Sequence, residues 1–342
     1  LEEVGYMSRA VFMFDRLLQK FGLNGRSIVA LVSSGACAIP AIMSTRTINN
    51  WRERLITIMV APLISCSARI PVYTVLIGFV VPAGTIYGFN QQGLAFMGLY
   101  LLSIFAALVA AMGFNLILRK GEASYLMMEL PIYKPPIWKN IFYTVKEKVM
   151  TFIIEAGKVI LVISIILWFM ASYGPKADME NAKLESIQLS QERGLDEEAS
   201  EQLLASLKIE QSYAGHLGKF IEPAIEPLGF DWKMGIALIT SFAAREVFVG
   251  TMATIYSVGG ADDEVTVRER MAAELNPKTG LPVYGFATSF SLLIFYVFAM
   301  QCMSTLAVTK RETKSWKWPI IQFGYMSVLA YLGSLIVFQV FS

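Results

Sequence analysis

The stretch SIVALVSSGACAIPAIMSTRTIN, residues 27–49, is an apolar run, a centre of small residues holding Cys37, a proline, and a second run that ends at Arg46. It is apolar enough for a membrane, yet it cannot be one smooth helix. Gly35 loosens the turn, and Pro40 removes a backbone donor and crowds the carbonyls before it. The stretch is predicted to be a broken helix. Backbone freed at membrane depth is tolerated only where it is buried in protein or lines a cavity, and paired broken helices build the midplane sites of many transporters. A partner for this break is therefore expected later in the chain.

Composition supports the membrane reading. Of the 342 residues 55% are hydrophobic, and mean hydropathy is +0.52. Several runs exceed the roughly 18 apolar residues that cross a bilayer, and helices are the spanning solution for such runs. The expected fold class is an all-α polytopic membrane protein with a lipid bilayer as its main partner. The 29 basic and 27 acidic residues leave a net charge of +2 and lie mostly between the apolar runs, so no nucleic-acid surface is indicated. Cys37, Cys66 and Cys302 all lie in or at the edge of apolar segments, an odd set unsuited to a disulfide framework. The chain opens at Leu1 with neither an initiator methionine nor a signal-peptide pattern, which reads as part of a longer polypeptide. No G-x-x-x-x-G-K-[ST] phosphate loop is present; residues 22–27, GLNGRS, space their glycines too closely and put Arg26 where lysine belongs. This chain alone is expected to be no enzyme.

Taken in order, residues 1–26 read as an amphipathic or partly inserted lead helix, with Arg9, Asp15, Arg16 and Lys20 on one face and Val11, Phe14 and Leu18 on another. Residues 27–120 form a first membrane module. After the opening stretch comes an interfacial anchor, Trp51 to Arg54, and then a second interrupted run in which APLISCSARIPVY (61–73) places Pro62, Cys66, Arg69 and Pro71 within ten positions. A clean span from Gly93 to Leu118 closes the module. Residues 121–174 hold an irregular basic connection as far as Lys148 and a linking span from Met150 to Tyr173, where Glu155 and Lys158 are spaced to pair. Residues 175–231 differ in kind: 12 acidic residues against five Lys or Arg, and a leucine pattern from Ser186 to Glu210, predict a water-facing helical hairpin. Residues 232–342 form a second module, with an apolar segment Met234–Tyr256 split by Arg245 and Glu246, a span Val283–Val308 containing Gln301 and Cys302, and a last span Pro319–Phe341.

The modules resemble each other. At an offset of 207, Ala30-Leu31-Val32-Ser33-Ser34 falls on Ala237-Leu238-Ile239-Thr240-Ser241, and at 236 Cys66 falls on Cys302. Basic loops around 120–148 and 310–317 belong in the cytoplasm, and the acidic insertion belongs outside. That assignment requires Met234–Tyr256 to enter and leave from the external side and Ser27–Asn49 from the cytoplasmic side. The modules are thus expected to be an inverted repeat of two Gate-type units with re-entrant hairpins whose tips meet near the midplane.

The chemistry at the breaks follows from residue type. Thiolates suit soft and borderline cations such as ferrous iron, zinc, manganese and cuprous copper, so Cys37, Cys66 and Cys302 are candidate transport ligands. The alternative for each is a small apolar packer. Intramembrane charge is functional by default, which adds Glu246 as a cation ligand or as half of a structural pair. Arg69 and Arg245 would repel a cation, so they read as charge partners or as donors to carbonyls freed at the breaks. Met43, Met303, Gln301 and Ser65 are secondary ligand candidates, the methionines with packing as the alternative. His216, in the insertion, reads as a surface residue.

Four stretches carry a family resemblance: GYMSRAVFMFDRLL (5–18), GACAIPAIMSTRT (35–47), APLISCSARIPVY (61–73) and FAAREVFVGTMATIY (242–256). Together they resemble the membrane region of bacterial ferrous iron transport protein B, FeoB, over nearly the whole chain. The resemblance implies Fe2+ uptake across the bacterial cytoplasmic membrane and paired Gate modules. It also implies a GTP-binding, Mg2+-dependent domain N-terminal to this region on the same polypeptide, a small cytosolic FeoA-like partner and a homo-oligomeric assembly. It places the family's cysteines on Cys37, Cys66 and Cys302 and its acidic position on Glu246. One departure is Ala38, where the family pattern has Asn, leaving one side-chain oxygen fewer beside Cys37. Two rival functions are a nucleoside permease built on Gate modules, which would need a roomy polar pocket and no thiols, and an intramembrane thiol redox or anchor protein, which would need two cysteines with Cα atoms below about 7 Å apart.

Overall fold

The computed structural model describes residues 5–82, 84–86, 88–118, 133, 135–193, 197–242, 245, 247–256, 271 and 283–342. Glu246, residues 119–132 of the basic connection and most of the polar loop before Val283 lie outside these, and the side chain of Glu155 is not among those described, so the expected Glu155–Lys158 pair lies outside them too. The described residues are helical almost throughout, and a two-residue β-hairpin joins Thr85–Ile86 to Phe89–Asn90.

In chain order the helices are α1 (Tyr6–Leu18), α2 (Ser27–Ser34), α3 (Ala38–Ser44), α4 (Trp51–Val60), α5 (Ile70–Val80), α6 (Gln91–Ile117), α7 (Trp138–Ser172), α8 (Lys176–Arg193) and α9 (Glu197–Glu210). They continue as α10 (Tyr213–Ile225), α11 (Trp232–Thr240), α12 (Val247–Ile255), α13 (Phe286–Phe298), α14 (Met303–Thr313) and α15 (Lys317–Phe341). Side-chain caps start several of them: Asn50 accepts from Arg52 N ahead of α4, Asn90 from Gln92 N ahead of α6, Ser212 from Gly215 N ahead of α10, and Asp231 from Met234 N ahead of α11. Among the described residues four segments are long and apolar enough to cross a membrane: Trp51–Val80, Gln91–Ile117, Phe286–Thr313 and Lys317–Phe341. The first and third are interrupted. One order therefore occurs twice: a short helical hairpin, an interrupted helix with a cysteine in its gap, and a long helix.

The linking segment differs from expectation. Helix α7 begins at Trp138, two residues after Pro136, so residues 138–148 of the basic stretch are helical rather than irregular, and the same helix continues through the apolar stretch Gly157–Ser172. The prolines end the irregular chain and leave a helix start in front of it. The insertion is the expected helical hairpin, α8 packing on α9, but it starts at Lys176.

The chain divides into two compact units that alternate along the sequence. Unit 1 comprises residues 1–67, 99–161 and 304–326; unit 2 comprises residues 68–98, 162–303 and 327–342.

In unit 1, α2 and α3 pack against each other, and Ile39 and Ile42 join Ile58 of α4 and Val308 of α14 in a buried core. Ser27 and Thr57 share a hydroxyl hydrogen bond of 2.8 Å beneath α2. Gly22 ends the first helical segment with φ +76°, and a Cβ there would collide with Asn115 of α6, whose side chain and carbonyl accept from Arg52. In unit 2, α10 lies on α11, α11 on α12, and α5 along α13. Close approach of α10 and α11 depends on Gly218, where a Cβ would stand 2.7 Å from Ile236 Cγ1 and 3.1 Å from the Trp232 carbonyl. Ser291 of α13 and Ser334 of α15 bond hydroxyl to hydroxyl at 2.6 Å, polar glue between apolar helices.

Candidate functional site at the helix breaks

The first hairpin turns at Gly35–Cys37. Cys37 leaves helical geometry (φ −156°, ψ 135°) as the residue ahead of α3, and Pro40 sits in the first turn of that helix, where its missing N–H costs nothing. Its thiol packs, with Met43, against the Ile39–Ile42–Ile58–Val308 core.

The first interrupted helix breaks because of Pro62. In a continuous helix the amide of residue 62 would serve the Ile58 carbonyl, and proline has none. Gln322 of α15 replaces it, its Nε2 donating to Ile58 O at 2.9 Å and to Met59 O at 3.3 Å, while Tyr325 Oη also donates to Met59 O. Gln322 Oε1 in turn accepts from Thr309 at 2.9 Å, so the buried amide is satisfied on both sides. Past the proline the chain runs extended through Ile64 to Cys66, and Ser65 N donates to Ser103 Oγ at 3.2 Å. Ser65 is fully buried and Cys66 is half-buried. Ser67 Oγ then donates to the Ala36 carbonyl at 3.0 Å. That bond joins the residue after Cys66 to the residue before Cys37, so unit 1 brings the two cysteine-bearing segments together.

Unit 2 repeats the construction without a proline. Helix α13 ends at Phe298, and Ala299–Cys302 are extended before α14. Arg245 Nη2 donates to the Ala299 carbonyl at 3.2 Å, and Met303 N donates to the carbonyl of Phe242 at the turn of the α11–α12 hairpin, at 3.3 Å. In each unit, then, the turn of the hairpin is hydrogen-bonded to the break that carries a cysteine. Cys302 is half-buried, Met303 is exposed, and Gln301 is buried. Arg69 is wholly buried at the start of α5. No disulfide joins the cysteines. Among the described residues no three or more His, Cys, Asp and Glu side chains gather as a metal site. His216 lies partly exposed, 3.2 Å from Asp178.

A feature that sequence reasoning missed is Glu312 of α14. Its carboxylate is buried and takes Arg46 Nε at 3.0 Å and Arg54 Nη2 at 2.7 Å, clamping the end of the first hairpin and the start of α4. A lone acid between Lys310, Arg311, Lys314 and Lys317 was its only sequence signal.

Comparison with known proteins places these elements. The Gate family model, described as nucleoside recognition, matches residues 1–80 and 153–316, covering both hairpins and both breaks. The model for the ferrous iron transport protein B C terminus matches residues 96–148 between them. The chain is 49% identical over 341 residues, 99% of its length, to a protein of Leptospira interrogans named Fe(2+) transporter FeoB, of which it covers 46%. It is 34% identical over 348 residues to the Fe(2+) transporter FeoB of Helicobacter pylori, covering 52% of that protein. It is also 34% identical over 351 residues to a Porphyromonas gingivalis protein named as a fusion of Fe(2+) transport protein A and Fe(2+) transporter FeoB, covering 40% of it. The chain thus spans about half the length of these relatives. No solved structure matches it significantly. With both hairpins and both breaks inside the matched residues, the chain belongs to the Gate family, and residues 96–148 within it match the model for the ferrous iron transport protein B C terminus.

Proposed function

We propose that this chain is the permease part of a ferrous iron transporter, multi-pass in the bacterial cytoplasmic membrane, in which Cys37, Cys66 and Cys302 serve as successive soft ligands for Fe2+ and Glu246 supplies negative charge. The observation that carries this reading is the thiol at each helix break, each break tied by a hydrogen bond to a hairpin turn. Extended backbone there presents carbonyls and thiols that a continuous helix would cover. Ligation by one or two thiols at a time suits conduction, because a closed thiolate cage would retain the ion. The names of the relatives support the cargo. GTP and Mg2+ enter this proposal through an N-terminal domain of the same polypeptide, which would bias the conformation of the breaks. The fusion relative supports a link to a FeoA-like protein, and the working state is proposed to be a homo-oligomer.

The description of the Gate model favours a second reading, nucleoside transport. Proteoliposomes holding the full-length protein separate the two. Uptake of 55Fe2+ that excess Zn2+ or Mn2+ inhibits, and that Mg2+ and uridine do not, supports the iron reading; uridine flux without iron flux overturns it.

A further inference from the structure

The turn between α14 and α15 has no part in the function described so far. Residues 310–317, KRETKSWK, hold four cations and one acid. The acid, Glu312, is buried and its charge is taken up by Arg46 and Arg54, so the face that the turn shows to solvent is basic. Lys310, Lys314 and Lys317 are exposed, and among the described residues no carboxylate lies within ion-pair distance of them. Trp316 stands between them, 62% exposed, with Lys310 Nζ 4.0 Å from its ring centroid. At the start of α4, which the Arg54–Glu312 pair holds beside this turn, Trp51 is 47% exposed and has Arg54 over its ring at 5.9 Å. Lys314 takes a left-handed conformation, φ 51°, so a charge occupies a backbone position that favours glycine.

The position of the turn says what meets it. Each of the four apolar segments has one end in unit 1, at Trp51, Ile117, Thr313 and Lys317. Arg54 ties the first segment to the third through Glu312, and Arg52 ties the first to the second through the carbonyls of Asn115 and Leu118. These ends mark one boundary of the apolar layer, the level at which tryptophan rings settle and at which a lysine stem lies on hydrocarbon with its ammonium in water. The anion found at that level is a phosphodiester, and an ammonium resting on an indole face has donors left to meet one. We propose that Lys310, Lys314, Lys317 and Trp316 bind the headgroup of an anionic phospholipid, with the phosphate on the lysines and the ring against the glycerol and upper acyl chains. A zwitterionic headgroup brings its own ammonium toward the lysines, so net charge decides which lipid is taken. An acidic protein surface would also be drawn to the lysines, but an open indole at the edge of the apolar layer favours the lipid. The site does not depend on the iron path.

The test uses full-length protein in detergent, with dioleoylphosphatidylglycerol or dioleoylphosphatidylcholine added at graded concentrations and the retained lipid counted by native mass spectrometry. Wild type should hold phosphatidylglycerol at least about tenfold more tightly than phosphatidylcholine. The triple variant Lys310→Gln, Lys314→Gln, Lys317→Gln should bind phosphatidylglycerol about 100-fold more weakly, roughly fivefold for each lysine, with phosphatidylcholine binding unchanged. Lys314→Gly removes a charge and suits the left-handed backbone. It should lose about fivefold in phosphatidylglycerol affinity yet melt no lower than wild type without lipid, a split that a merely structural lysine would not give. Lys183→Gln with Lys208→Gln, a charge change in the insertion, should leave binding as in wild type. Equal wild-type affinity for the two lipids, or the same loss per charge in the insertion variant, would overturn the assignment. Wild-type phosphatidylglycerol binding in the triple variant would also overturn it and leave the lysines to an acidic protein surface. No readout involves iron, so failure here is distinct from failure of the iron reading.

Discussion

Replacing Gln322 with leucine tests the explanation given for the first break. The change keeps the volume and removes the donor that serves the Ile58 carbonyl and the acceptor that serves Thr309. Met59 O keeps its bond from Tyr325, so the Ile58 carbonyl is left unmet and Thr309 loses its bond to the amide oxygen. An unmet buried group costs about 1–3 kcal/mol, and the lost Thr309 bond adds about 1 kcal/mol. The leucine side chain regains part of this by burial, leaving a net loss of about 2–3 kcal/mol. The specific prediction lies in the double mutant. Pro62→Ala restores the amide that would serve Ile58 O, so in that background Gln322→Leu should cost about 1–2 kcal/mol less. Detergent-titrated unfolding of the four proteins measures the coupling. Additivity to within about 0.5 kcal/mol would mean that Gln322 is not the substitute for the missing proline N–H.

Three further outcomes follow from unit geometry. Glu312→Gln removes the charge that Arg46 and Arg54 share and should lower stability by about 1–3 kcal/mol, less than for a fully buried triad because both arginines reach solvent; a chemical denaturation midpoint unchanged from wild type would show that the clamp contributes nothing. Gly218→Leu should separate α10 from α11 and lower the yield of folded protein sharply, while Gly98→Leu, whose Cβ would meet nothing within 4 Å, should express normally; equal yields would contradict the close-packing assignment. Ser291→Ala and Ser334→Ala should each cost about 0.6–2 kcal/mol, with the double mutant costing less than their sum, and a strictly additive result would break the proposed hydroxyl pair.

The first hairpin and the first break were legible because glycine and proline act locally: Gly35 and Pro40 mark the hairpin, and Pro62 marks the break by removing a donor, whereas the second hairpin was read from the charges of Arg245 and Glu246 and of the flanking loops. The second break was not legible in this way. Residues 299–302, AMQC, contain neither glycine nor proline, and only the alignment of Cys66 with Cys302 pointed to it. It is held open by tertiary bonds, from Arg245 to Ala299 and from Met303 to Phe242, that no local pattern encodes. Glu312 and Gln322 escaped notice for the same reason, since Arg46 and the Ile58 carbonyl that they serve lie more than 250 residues away. Met43 stood as a candidate soft ligand because of its place in the hairpin; its side chain packs against the α3–α4–α14 core. The start of α7 was misplaced because Pro135 and Pro136 signal a boundary without saying which side of it is helical.

The central claim is that thiols at the helix breaks carry ferrous iron. Uptake of 55Fe2+ by cells lacking other ferrous iron uptake, expressing the full-length protein at matched membrane levels, tests it most directly. The account predicts that Cys37→Ser, Cys66→Ser and Cys302→Ser each reduce uptake at least about tenfold, the effect of roughly 1.4 kcal/mol lost at one ligand, and that the triple variant is inactive. A triple variant that takes up Fe2+ at the wild-type rate would contradict it.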